Sequence, residues 1–199
     1  MSALRMRARQ TFGQLLWMTG RNKPTPGTLT VLMYHAVTPD SLDDPGQMSV
    51  SAKRFADQMA EIDDSGVEVV NLVTGAARVQ DQTLDRAAVS IVFDDGFVGV
   101  HDHAAELLSR HRFPSTLFVS TSWIGGRSMP IADPRLGRPL TWNEVDTLSR
   151  RGMSIGSHTH THPVLASLTR EAIDYEIVKS RDAIADRIGR RPEAFAYPF

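Results

Sequence analysis

From residue 28 onward, short runs rich in β-branched residues alternate with stretches of helical period, and this alternation restricts the fold more than any other feature of the chain. Leu29–Tyr34, Val67–Leu72, Val89–Phe93, Thr116–Ser120, Met153–Ser157 and Ala194–Tyr197 read as strands. Between them, Phe55, Met59 and Ile62 recur on one helix face, as do Val100, Ala104, Leu107 and Leu108. Thr141-Trp142-Asn143-Glu144 reads as a capping box, in which hydroxyl and carboxylate satisfy the first amides of a helix. Ile173, Ile177, Ile184 and Ile188 mark a helix that starts near Thr169 and stops at Gly189. Strands alternating with helices imply βα units and a parallel sheet, open or closed into a barrel.

One stretch breaks the rhythm. Residues 122–139 hold Gly125, Gly126, Pro130, Pro134, Gly137 and Pro139, too irregular for an ordinary connection and a candidate rim for a substrate groove. A length of 199 residues suits one domain, read as residues 28–199, preceded by an arm over residues 1–27. The charge is uneven: the first 39 residues hold five cations and no acid, which leaves −6 on a remainder whose total with them is −1. In that arm Leu4, Ala8, Phe12, Leu15 and Leu16 recur at roughly helical spacing. One reading is a basic amphipathic helix in peripheral contact with an anionic membrane. The plainer one is a helix packed on the domain, or a frayed tail. No apolar run exceeds four residues, so no transmembrane segment is expected. Without a clear signal peptide, the expectation is a cytoplasmic or peripheral membrane location.

The chemistry gathers in two places. Ser90-Ile91-Val92-Phe93 runs straight into Asp94-Asp95-Gly96, and buried carboxylates require a partner or a metal. Neighbouring residues on a strand point to opposite faces, so the two carboxylates converge only if the strand ends there. Gly96 supplies freedom for a sharp exit. At the C-terminal mouth of a parallel sheet such a pair sits where α/β enzymes place their chemistry. The competing reading is a solvated turn that caps the next helix. The second place is Ser157-His158-Thr159-His160-Thr161-His162-Pro163, where three of the chain's seven histidines fall within five positions. On a helical turn His158 and His162 share one side and His160 points elsewhere. Two imidazoles on one face hold a divalent transition ion. The competing reading is an exposed polar loop. With no cysteine in the chain, any metal must use His, Asp or Glu.

The order and intervals of Phe93-Asp94-Asp95-Gly96, His158-Thr159-His160-Thr161-His162 and Phe195-Ala196-Tyr197-Pro198-Phe199 resemble the polysaccharide deacetylase family with its NodB homology domain (carbohydrate esterase family 4). Leu32-Met33-Tyr34-His35-Ala36-Val37 is similar to the first-strand segment of one branch. The resemblance runs from about residue 29 to Phe199. It implies a distorted (β/α) barrel, here incomplete with about six strands, and hydrolysis of an N-acetyl, less often O-acetyl, group on a polysaccharide or oligosaccharide. By the same resemblance Asp94 is the catalytic base, Asp95, His158 and His162 bind the metal, and the backbone N–H of Phe199 serves the oxyanion. Zinc suits that ligand set, as do cobalt and nickel. Tyr197, Pro198, His35 and Trp123 are expected to border an acetylated glycan, with Trp123 and Trp142 able to stack on sugar rings.

The chain also departs from the pattern. Ala196 stands where the family usually has the Arg that holds the base, and no His follows His162 to act as general acid. Two alternatives therefore accompany the deacetylase: a catalytically impaired relative that binds metal or glycan without turnover, and a metal-dependent amidohydrolase on a non-glycan substrate. Adjacent carboxylates rarely reach the separation that glycoside hydrolysis needs. The acidic body of the chain disfavours nucleic acid. His101, His103 and His111 read as residues of a solvated helix face.

Overall fold

The computed structural model describes residues 25–44, 46–126, 129 and 133–199. The expected amphipathic arm, apart from residues 25–27, lies outside them, as does part of the irregular 122–139 stretch. Seven strands are present among the described residues: β1 Leu29–Tyr34, β2 Ala36–Thr38, β3 Ser49–Ser51, β4 Glu68–Val69, β5 Ala88–Phe93, β6 Ser115–Val119 and β7 Ser154–Ser157. Five α-helices accompany them: α1 Ala52–Ser65, α2 Leu72–Gln80, α3 Ala105–His111, α4 Trp142–Arg150 and α5 Arg170–Ile188. A π-helical turn, Val100–Ala104, runs directly into α3.

All pairing within these strands is parallel, as the βα alternation requires. β1 runs along the whole of β5; on the other edge of β5, β4 pairs with Ala88 and Val89 and β6 with Ile91–Phe93. β7 follows β6, giving an α/β sheet with β1 and β7 at its ends. Among the described residues this sheet is open rather than a closed ring. Three readings need correction: the expected strand Val67–Leu72 keeps only Glu68–Val69, because Asn71 caps α2, which begins at Leu72. The expected sixth strand, Ala194–Tyr197, is reduced to one parallel bridge between Phe195 and Ser157. The three-residue pair β2–β3 was not expected, because pieces so short carry no readable period.

Helix ends follow local chemistry. Thr141 and Glu144 form the expected capping box at α4. Thr169 caps α5 by accepting from the Ala172 N–H, and Gly189 closes it at φ 77°. The main core lies between the sheet and α1, α3 and α4, with Phe55, Met59, Phe93, Leu117 and Leu148 essentially inaccessible. Tyr34 stacks on Phe93 at 5.6 Å and meets Phe55 edge-on at 5.1 Å. Each such side chain contributes about 1.5–3 kcal/mol by leaving water. This core sits directly beneath the end of β5, so the residues that follow Phe93 leave from a fixed point.

The face of α5 differs from its apolar period. Only Ile184 of the four isoleucines is fully buried, and the deepest stripe is Glu176, Ser180 and Ile184. Packing against the end of β7 replaced an apolar contact with a polar one. No helix among the described residues is long and apolar enough to cross a membrane.

Candidate metal centre

β5 ends at Phe93, and the Asp94 N–H continues the ladder by donating to the Tyr34 carbonyl at 2.9 Å. The backbone then turns left-handed twice in succession, with φ 74° at Asp95 and 92° at Gly96. Aspartate tolerates this region better than most side chains, and glycine has no penalty there. The turn is held by two further bonds, from the Gly96 N–H to the Asp94 carbonyl and from the Leu140 N–H to the Gly96 carbonyl, each 2.9 Å. Asp95 is thereby swung inward to 2% exposure.

β7 delivers the histidines. Gly156 lets it lie close on β6, since a Cβ there would run into the Phe118 ring. The His158 N–H donates to the Val119 carbonyl at 3.1 Å, and the chain then leaves the sheet through a loop. The expected helical turn is absent: Thr159 and His162 are left-handed, at φ 68° and 61°. Loop curvature, closed by the His162 N–H on Thr159 Oγ1 at 3.0 Å, brings the two imidazoles together instead. Their ring centroids are 4.9 Å apart.

His158 Nε2 and His162 Nε2 lie 3.5 and 3.2 Å from Asp95 Oδ1. Neither contact is aligned as a hydrogen bond, and Asp95 Oδ1 is buried without a partner. The reason lies on the far side of His158, where Nδ1 is 3.0 Å from the Ala196 carbonyl. A carbonyl only accepts, so Nδ1 carries the proton and Nε2 turns a lone pair toward the carboxylate. Burial pushes the His158 pKa down to about 4, against the pull of Asp95, so the ring is neutral near pH 7. The lone pairs of His158 Nε2 and Asp95 Oδ1, which face each other without a proton between them, are mutually repulsive until a cation enters. One atom from each of Asp95, His158 and His162 lies within 4.8 Å of the others, and this donor set fits a divalent transition ion. Asp94 stands next to it, buried, with Oδ1 unpartnered. Burial first, and the charge of Asp95 second, push its carboxyl up to about 7 while His162 pulls it down.

The polysaccharide deacetylase family model matches residues 81–199, more than half of the chain. The chain belongs to that family. The YxkH protein of Bacillus subtilis, named after the same family, is 24% identical over 174 residues. That alignment takes in 87% of this chain and 57% of the relative, so the chain spans under two thirds of its length. Among solved structures, the Streptococcus pyogenes deacetylase PplD in complex with acetate has a TM-score of 0.72 at 23% identity, covering 87% of this chain and 75% of that one. IcaB from Ammonifex degensii gives the same TM-score and identity, covering 85% and 73%. These likenesses carry the fold.

In this deacetylase-family chain the other expected residues are dispersed. Trp123 is buried, its indole tilted 31° on His162 with centroids 4.6 Å apart. Phe199 is 82% exposed, yet its ring meets His162 edge-on at 5.0 Å. Pro198 is buried between Phe199 and Tyr197, whose ring pairs with Phe195 rather than with the ligand trio. His35, half-buried after β1, is near enough to bear electrostatically on His158. Trp142, on α4, lies under the guanidinium of Arg187 from α5. His101 pairs with Asp102, and His111 with Asp63, on the outer helices. Sequence reasoning missed Glu176, which meets the histidine loop from α5. Its position beside Ile177 gave no sign, since one acid on a long helix is ordinary.

Proposed function

We propose that this chain is the catalytic part of a metal-dependent deacetylase that removes N-acetyl groups from a polysaccharide or oligosaccharide. One observation carries the reading: Asp95, His158 and His162 each bring one ligand atom within 4.8 Å of the others, and a second carboxylate, Asp94, adjoins them. Zinc suits two imidazoles and one carboxylate, and cobalt or nickel accept the same donors. When bound, such a dication polarises an acetyl carbonyl and acidifies water in the open coordination positions.

The remaining steps fall to the chain itself. Asp94 takes a proton from the attacking water, a role its unpartnered Oδ1 leaves free, and returns it to the sugar nitrogen as the C–N bond breaks, so that acetate and a free amine are released. The backbone N–H of Phe199 donates to the carbonyl oxygen as charge develops there, which contributes about 3 kcal/mol at comparable sites. Phe199 and Tyr197, both exposed, are assigned to the apolar face of a sugar, and Pro198 and His35 to the border of the same mouth. Trp123 walls the ligands from water. The test is release of acetate from N-acetylglucosamine oligomers, lost on adding chelator and regained with zinc. Absence of acetate from any acetylated glycan by the zinc-loaded chain would defeat the reading.

A second reading is favoured by Ala196, which leaves Asp94 without the guanidinium that the family pattern provides. A chain so altered binds metal and glycan without turnover. Stoichiometric zinc uptake with no acetate released from acetylated glycans supports it. Ring opening or amide cleavage on non-glycan substrates points to an amidohydrolase instead.

A further inference from the structure

Glu176 is buried at 6% exposure in the middle of α5, where a carboxylate needs a specific reason to be. Among the described residues, its hydrogen bonds all go to the histidine loop. Oε2 accepts the N–H of His160 at 2.8 Å and of Thr161 at 2.7 Å, and Oε1 accepts the Thr161 hydroxyl at 2.6 Å. One turn further along, Ser180 Oγ meets Ser157 Oγ at 2.8 Å, at the last residue of β7. Two side chains of one helix face thus grip both shoulders of the segment that carries His158 and His162. From the opposite side Thr121 Oγ1 meets His160 Nδ1 at 2.8 Å, and the Ser122 N–H donates to the His160 carbonyl at 2.9 Å.

The loop needs such a grip. Thr159 and His162 both sit in the left-handed region, which is unfavourable for a non-glycine residue and persists only when surroundings impose it. The N–H groups of His160 and Thr161 lie between those two residues and point away from the ligand trio. A carboxylate behind them fixes the crown of the turn and thereby the angle at which the two imidazoles face Asp95.

We propose that Glu176 is a positioning residue of the metal centre, holding the His158–His162 loop in its ligating form through the three bonds described. The inference rests on the metal-dependent reading given above. It assigns Glu176 no contact with substrate or metal.

The test compares zinc affinity by calorimetry, and the visible spectrum of the cobalt-loaded chain, for the parent, Glu176→Ala and Glu176→Gln. Glu176→Ala is expected to bind zinc roughly 10–100-fold more weakly, the usual cost of losing a residue that orients a ligand, with a shifted cobalt spectrum. Glu176→Gln, whose amide oxygen still accepts from the two N–H groups, is expected to fall between. Val145→Ala thins the core on α4 and lowers the melting temperature without changing either readout. A folded Glu176→Ala chain with parental affinity and spectrum overturns the inference. If that variant does not fold, parental values for Glu176→Gln do the same. A parent chain that takes up no metal overturns the metal-dependent reading, and this inference with it.

Discussion

The indole of Trp123 lies in a tilted stack on the imidazole of His162, 4.6 Å between centroids and 31° between planes. Phe199 closes on the same imidazole from another side, so a ring whose Nδ1 has no hydrogen-bond partner is oriented by contact alone. Trp123→Ala is therefore expected to weaken zinc binding by about tenfold, as loss of other ligand-orienting groups does. Trp123→Phe keeps a flat neighbour and most of the affinity. Calorimetry with zinc decides this; a raised KM for glycan at unchanged zinc affinity would mark Trp123 as a sugar contact only.

Asp94 and Asp95 are consecutive, yet the left-handed turn at Asp95 gives them separate tasks. Asp94→Asn is expected to lower acetate release by at least the 10²-fold typical of losing a general base, and to leave zinc affinity near that of the parent. Asp95→Asn and His158→Ala should lose both. Equal activity in Asp94→Asn would remove Asp94 from the role of base.

The raised pKa of Asp94, about 7, has a consequence for stability without metal. An acid whose folded pKa exceeds its unfolded value of about 3.9 destabilises the fold wherever the unfolded chain would ionise it. The penalty is full above pH 7, shrinks as pH falls, and vanishes below the unfolded value. Metal-free Asp94→Asn should accordingly melt above the parent at pH 8, with the difference closing toward pH 4. A difference independent of pH would count against the buried-charge account.

Zinc removal should also be visible in the melting temperature. At zinc a hundredfold above its Kd, linkage predicts about 2.7 kcal/mol of added stability, or roughly 5–10 °C for a chain of this size. Differential scanning calorimetry with zinc and with chelator measures it. An Asp95→Asn chain should show little of that shift.

Gly156→Ala places a methyl group against the Phe118 ring inside the β6–β7 pair. Overpacking of this kind costs about 1–3 kcal/mol. Because β7 carries the histidine loop, zinc affinity should fall together with the melting temperature, whereas Val145→Ala should lower the second alone.

Most of the scaffold could be read from residue order because its signals are local. β1 has the expected limits, β5 and β7 shift by one residue at one end and β6 by one at both, and the caps at Thr141 and Thr169 are where side-chain chemistry puts them. The failures arose where distant packing decides. Ala194–Tyr197 has strand-like composition but finds β7 at one residue only. The spacing of His158 and His162 suggested a helix, although a left-handed loop brings the same two rings together. The isoleucines of α5 implied an apolar face, while burial favours Glu176 and Ser180, whose partners lie in a loop that no period reveals.

The brace between α5 and β7 also bears on how the protein assembles. Two ligands, the loop between them and the helix that secures it all lie within residues 154–188, a contiguous stretch able to organise early through short-range contacts. Asp95 comes from about sixty residues upstream and meets them only through the adjacency of β5, β6 and β7 in the sheet. The three ligands are therefore together only when that strand order is in place, and a metal ion held among them would tie the end of β5 to the loop after β7.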